Sequence, residues 1–132
     1  MTKNKKTTKC KPGIVGWNEL ATSDVPAAKK FYAGLLGWKT KPFGRSVDYT
    51  LFMKGKDMIG GLMKCPKPGK HGQWIPYVYV ADVDATAKKV KKLRGKLCCP
   101  PTDVPNVGRI CVLTDPQGGV IGIIKPKMVP RN

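Results

Sequence analysis

The feature that most limits how this chain can fold is a repeat. Asp24-Val25-x-Ala27 returns as Asp82-Val83-x-Ala85 and Gly37 returns as Gly95, and both separations are 58 positions. Self-similarity at a fixed spacing, with the same residues opening and closing a helix, is what a duplicated strand-helix unit leaves behind. Farther along, Ile59-Gly60 matches Ile121-Gly122 at a separation of 62, as insertions between strands would allow. The chain therefore reads as two tandem modules, about 13–65 and about 73–128, within a single domain covering 13–132. At 132 residues and 41% hydrophobic content, it carries enough apolar surface to close one core.

Local signals give each module its elements. Ile14 to Leu20 reads as a strand, and Asp24 then stands where an N-cap belongs, with Pro26 tolerated in the first helical turn. Ala28, Phe31, Tyr32 and Leu35 recur at helical spacing and predict a buried stripe, with Lys29 and Lys30 outside it and Gly37 closing the helix. Two strands, 48–53 and 58–64, follow around the turn Lys54-Gly55-Lys56-Asp57. The stretch Cys65 to Gly72 holds two prolines and two glycines and reads as a linker. The pattern then restarts: a strand over 74–80, and a helix capped by Asp82 with Val83, Ala87, Val90 and Leu93 or Arg94 inward. Strands follow at 96–99, 108–113 and 120–125, with Pro100-Pro101 as a break after the first of them.

Composition excludes several classes. Residues 1–12 hold five lysines and no apolar periodicity, so they read as a disordered basic arm. No run is apolar enough for a secretory leader or membrane span, so the expected location is the cytoplasm, with no membrane partner. Five cysteines without a Cys-x-x-Cys pair, and His71 as the single histidine, argue against a zinc site and for thiols that pack as small hydrophobes. The net charge of +17 attracts polyanions without sequence preference. Lysine supplies most of it and only four arginines are present, so nucleic-acid binding, if any, is expected to be non-specific.

Several stretches in order carry a family likeness: Trp17 to Asp24, Ala28 to Tyr32 with Leu36-Gly37-Trp38, Pro76 to Ala85, Pro101 to Pro105, Gly108-Arg109 and Asp115 to Gly119. Together they resemble the vicinal oxygen chelate superfamily of glyoxalases, bleomycin-resistance proteins and extradiol dioxygenases. The resemblance implies an α+β fold, two tandem βαβββ modules forming a curved mixed sheet of half-barrels around a central cavity, often with two chains pairing as a homodimer. It also implies, in family enzymes, a divalent ion held by His and Glu on the first and last strand of each module. The matching positions here are Trp17, Ile75, Gly60 and Gly122, none of which offers a lone pair to such a cation. No metal and no other cofactor is expected, and metal-dependent glyoxalase or dioxygenase activity is disfavoured.

Strand alternation places Trp17 with Glu19, Tyr77 with Tyr79, and Gly122 with Ile124. These residues, with Gly60 and Arg109, form the expected ligand-binding set. The glycines would leave room for an aromatic or elongated ligand, and Arg109 would clamp an anionic group. Glu19 is the candidate catalytic residue, because loss of water around a carboxylate raises its pKa toward acid-base use; the competing reading pairs it with Arg109 or a lysine. The expected function is metal-independent binding of an aromatic or hydrophobic small molecule. The alternatives are a metal-free lyase, isomerase or hydrolase using Glu19, and a polyanion-binding protein.

Overall fold

The computed structural model describes residues 11–43, 49–65, 71–105 and 107–127. Most of the expected basic arm, the start of the expected 48–53 strand and the middle of the linker lie outside the described residues. Ten elements follow in the order β1 (Val15–Thr22), α1 (Val25–Leu36), β2 (Lys39–Pro42), β3 (Tyr49–Lys54), β4 (Asp57–Lys64), β5 (Gly72–Tyr79), α2 (Val83–Lys92), β6 (Lys96–Val104), β7 (Gly108–Thr114) and β8 (Val120–Pro126). That order is βαβββ twice, an α+β fold, as the repeat requires.

By contacts the chain divides into Trp17–Ile75 and a second unit made of Pro76 onward together with the segment up to Gly16. In the first unit the strands are hydrogen-bonded in the order β2-β3-β4-β1, with β1 parallel to β4 and the other pairs antiparallel. The second repeats this as β6-β7-β8-β5, with β5 parallel to β8. Its N-terminal segment is tied in by Gly13 N–H to the Tyr79 carbonyl at 2.8 Å and by Tyr79 N–H to the Ile14 carbonyl at 2.9 Å.

Both helices start as their sequence dictates. Asp24 and Asp82 adopt extended backbone and accept from the N–H three residues on, at 3.0 and 2.9 Å. Gly37 takes the left-handed conformation that ends α1. In the second copy that conformation falls on Arg94, at φ 70°, one residue before the repeat glycine. Gly95 is needed for another reason: a Cβ there would lie 2.7 Å from the Thr114 carbonyl and 2.9 Å from Val90.

The helices pack differently. α2 buries Val83 and Ala87 onto Cys111 and Ile123, with Val78, Val80, Leu97 and Leu113 around them, and it buries Val90 as well. Leu93 or Arg94 was expected on that inner face; both are exposed, Leu93 at 71%, because the helix ends at Lys92. α1 buries no residue completely. Val25, Ala28 and Tyr32 meet Leu20, Phe52 and Leu62, while Phe31 and Leu35, expected in the buried stripe, are 58% and 61% exposed. Tyr32 stacks on Trp38 at 5.7 Å and meets Phe52 and Trp74 edge-on, and its hydroxyl accepts from the Trp74 indole at 3.1 Å. These rings fill the space between helix and sheet. Full burial of Phe52 and Leu62 contributes about 1.5–3 kcal/mol each.

Three sequence expectations are corrected in the strands. β2 had no local signal: Lys39-Thr40-Lys41-Pro42 is a polar edge strand, and its lysines and proline discourage further pairing. β6 runs through Pro100-Pro101 to Val104 rather than stopping at Cys99. It is the outer strand beside β7, and its register shifts on both sides of Cys99 absorb prolines that cannot donate to a ladder. The β3–β4 register also shifts, from Met53 opposite Met58 to Phe52 opposite Gly60, so Ile59 is the extra residue of a bulge.

Candidate functional site

The bulge decides which glycine serves the site. Without it, the Gly55-Lys56 turn would set Gly60 opposite Leu51; with it, Gly61 takes that place and also lies beside Glu19 in the β1–β4 ladder. Trp17, Glu19, Gly61 and Leu51 therefore share the face of the first unit turned away from α1. Gly60 lies on the other face opposite Phe52, where a Cβ would press on the Asn18 carbonyl oxygen of β1. Gly60 thus stands on the face opposite Glu19, and Gly61 takes the place beside Glu19 that was expected of Gly60. The repeat separation of the glycines becomes 61, since Glu19 lies beside Gly61 as Tyr77 lies beside Gly122.

On this face a hydrogen-bond chain is assembled from three side chains. The Trp17 indole Nε1 donates to the Tyr49 hydroxyl at 2.9 Å, and the Tyr49 hydroxyl donates to Glu19 Oε1 at 3.0 Å. Glu19 is 6% exposed and Tyr49 is 5% exposed. Burial, with the neighbouring Glu19 carboxylate, pushes the Tyr49 phenol well above its ordinary value, so it stays protonated as a donor. Tyr49 reaches Glu19 by crossing Gly61, where any Cβ would collide with the phenol. A chain ordered indole to phenol to carboxylate has a direction: the hydroxyl accepts from the indole and donates to the carboxylate.

The second unit treats the same position differently. Tyr77, 58 positions after Glu19, lies over Gly122 with its ring flank where a Cβ would project, and it is 1% exposed. Tyr79 crosses Gly16 in the same way and donates from its hydroxyl to the Gly16 carbonyl at 3.2 Å. Ile124 lies beside Tyr79 and is 4% exposed. Gly122 therefore opens no room for a ligand, contrary to expectation; it admits a tyrosine ring of its own unit.

Arg109 is also corrected. Its Nε and Nη2 bond both oxygens of Asp84 at 2.8 and 2.9 Å, and its Nη1 bonds Asp103 at 3.0 Å. Hydrogen bonds from the guanidinium hold the Asp84 carboxyl below its usual range. The fork meets two carboxylates at the surface, and neither is Glu19. His71 is exposed and its backbone ties to Ser23. Cys111 is fully buried in the second core, where desolvation pushes its thiol up, whereas Cys98 is exposed rather than packed.

At the positions where the family likeness implies metal ligands, with Gly61 taking the place expected of Gly60, stand Trp17, Ile75, Gly61 and Gly122, an indole, an alkyl chain and two bare backbones. Among the described residues no three His, Cys, Asp or Glu side chains gather as a metal-holding group. This donor set does not fit a divalent cation.

The model of the Glyoxalase/Bleomycin resistance protein/Dioxygenase superfamily matches residues 14–123. The chain belongs to that superfamily. CFP32 of Mycobacterium tuberculosis, which bears a glyoxylase name, is 36% identical over 116 residues, 86% of this chain and 44% of its own length. The anthracycline biosynthesis protein DnrV of Streptomyces peucetius is 28% identical over 132 residues, 88% of this chain and 48% of its own. The chain thus spans about half the length of these curated relatives. Among solved structures, methylmalonyl-CoA epimerase from M. tuberculosis shares the fold at TM-score 0.58 and 19% identity, covering 88% of this chain and 91% of that one. Among the described residues of this superfamily member, no helix is long and apolar enough to cross a membrane.

Tyr49 and Gly61 are the functional candidates that sequence reasoning missed. Tyr49 carried one signal, an aromatic residue two positions before Leu51 on the same strand face. Its partner glycine could not be chosen while the bulge was unknown.

Proposed function

We propose that this chain is a metal-independent small-molecule binding protein of its superfamily, holding an aromatic or hydrophobic compound against the Trp17–Tyr49–Glu19 face. The observation that carries the reading is that hydrogen-bond chain: on the strand face where the family likeness implies imidazole and carboxylate ligands, an indole, a phenol and one buried carboxylate are hydrogen-bonded to one another. An indole plane supplies area for a ring, and the chain fixes that plane. The relation to DnrV, whose name refers to a polycyclic aromatic product, supports an aromatic ligand. Native mass spectrometry of the purified protein, followed by titration of its tryptophan fluorescence with an anthracycline, tests both halves. The expected results are no stoichiometric divalent ion and saturable quenching that Trp17→Leu weakens about tenfold. A tightly held metal ion, or quenching unmoved by Trp17→Leu, would overturn the reading.

A second reading is an acid-base enzyme, favoured by a carboxylate that is 6% exposed and hydrogen-bonded to a phenol. Glu19→Gln separates the two. It retains shape and removes the titration, so a binder keeps its affinity with at most a changed pH dependence. An enzyme loses turnover by the roughly 10²–10⁴-fold typical of a removed general acid or base.

A further inference from the structure

A groove of about 740 Å³ runs between α1 and β2. Lys29 and Lys30 line it from the helix, Lys39 and Thr40 from the strand, and the Trp38 indole lies between them. The one acidic residue on its wall, Asp24, is engaged through Oδ1 with the Ala27 N–H at 3.0 Å. Among the described residues, Lys29, Lys30 and Lys39 form no ion pair with a carboxylate. Trp38 is held at a fixed tilt, stacked on Tyr32 at 5.7 Å and packed on Phe52 at 5.1 Å. The result is a ring packed in place in a groove lined by three lysines, on a chain of net charge +17.

We infer that this groove is a docking surface for single-stranded nucleic acid. Lysines attract phosphates as point charges without demanding a geometry, and a ring among them gives an unpaired base a surface to stack on. A duplex cannot use that ring, because its bases already stack on one another. A lipid surface would draw the lysines but would ask for an apolar side chain projecting outward, whereas Trp38 is half-buried within the groove. The inference is independent of the Trp17–Tyr49–Glu19 face, which belongs to the opposite side of β1.

The deciding experiment measures fluorescence anisotropy of a labelled oligothymidylate across a salt series. Each phosphate contact on a single strand contributes about −0.7 to the slope of log K against log salt. Replacing Lys29, Lys30 and Lys39 together by Gln should therefore flatten the slope by about 2 and weaken binding about tenfold or more at low salt. Replacing Lys88, Lys91 and Lys92 on α2 by Gln removes the same charge from another face and should leave most of the slope. Equal losses from both triple variants would reduce the effect to the general field and overturn the inference. So would equal affinity for a duplex of the same length, or tighter binding to anionic phosphatidylserine vesicles than to the oligonucleotide. All six lysines are at least partly exposed, so unchanged melting of both variants confirms that the comparison is between folded proteins. Tyr49→Phe should leave oligonucleotide binding as it was.

Discussion

The two modules share a backbone and differ in what stands over one glycine. In the first, Tyr49 comes from β3, crosses Gly61 and meets a carboxylate at Glu19. In the second, the position of Glu19 is Tyr77, which lies over Gly122, while the ladder position matching Tyr49 is Ile110. Duplication has kept the bare backbone and moved the ring from one strand to another. At the position of the acid the second copy carries a buried ring. The lesson is that the repeat conserves space, while the side chains that use that space differ between the copies. A symmetric fold need not hold a symmetric site.

The largest expected effect tests that shared space. Gly122→Val drives a branched side chain into the ring flank of Tyr77, which is 1% exposed and cannot swing aside. Overpacking of this kind costs about 3 kcal/mol, readable as a lowered denaturant midpoint. Gly61→Ala meets chiefly the hydroxyl end of Tyr49, and pairing it with Tyr49→Ala should recover part of its loss as a coupling between neighbours. If Gly122→Val melts like the wild type, the ring does not occupy that position and the comparison fails.

Tyr49→Phe comes next. It leaves a buried Glu19 oxygen and the Trp17 N–H without the hydroxyl that joins them, at a cost of about 1–3 kcal/mol. Ile110→Val at the matching position should cost about 1 kcal/mol, as the loss of one methylene does. Equal losses would mean that the hydrogen-bond chain adds nothing beyond packing.

Alkaline titration sharpens the same contrast. The phenol of Tyr49 is raised in the folded protein above the ordinary 10.0. Its protonated form is therefore favoured by folding: the stabilisation is complete below pH 10 and declines as pH rises beyond it, because the unfolded chain releases the proton first. Stability measured from pH 8 to 11 should fall more steeply for the wild type than for Tyr49→Phe. Parallel curves would show that the phenol is not buried against the carboxylate.

The smallest effect concerns the helices. Phe31 in α1 corresponds to Lys89 in α2, and both are exposed. Phe31→Lys should shift stability by no more than about 0.5 kcal/mol, the range for surface changes, and should raise solubility. A loss above 2 kcal/mol would show that α1 buries that ring against something.

Much of this protein was legible in its sequence because the signals were local. Asp24 and Asp82 cap the helices, Gly37 ends the first, and the 58-residue spacing announces two modules, all without reference to distant residues. Alternation along β1 placed Trp17 beside Glu19 on one face. What failed depended on partners far along the chain. The exposure of Phe31 and Leu35 depends on Trp38, Phe52 and Trp74 filling the space beneath α1. The occupation of Arg109 depends on Asp84 and Asp103 arriving from two other elements.

The bulge at Ile59 shows the divide most clearly. One inserted residue reverses the face of everything after it in β4, because side chains alternate with a period of two. The family likeness put Gly60 at the closing-strand position, and only cross-strand pairing could say that Gly61 is the residue beside Glu19. The sequence by itself determined the modules, their caps and the acid at Glu19. Tertiary structure alone decided which ring meets that acid, because register is set between strands, by contacts that no single stretch of chain contains.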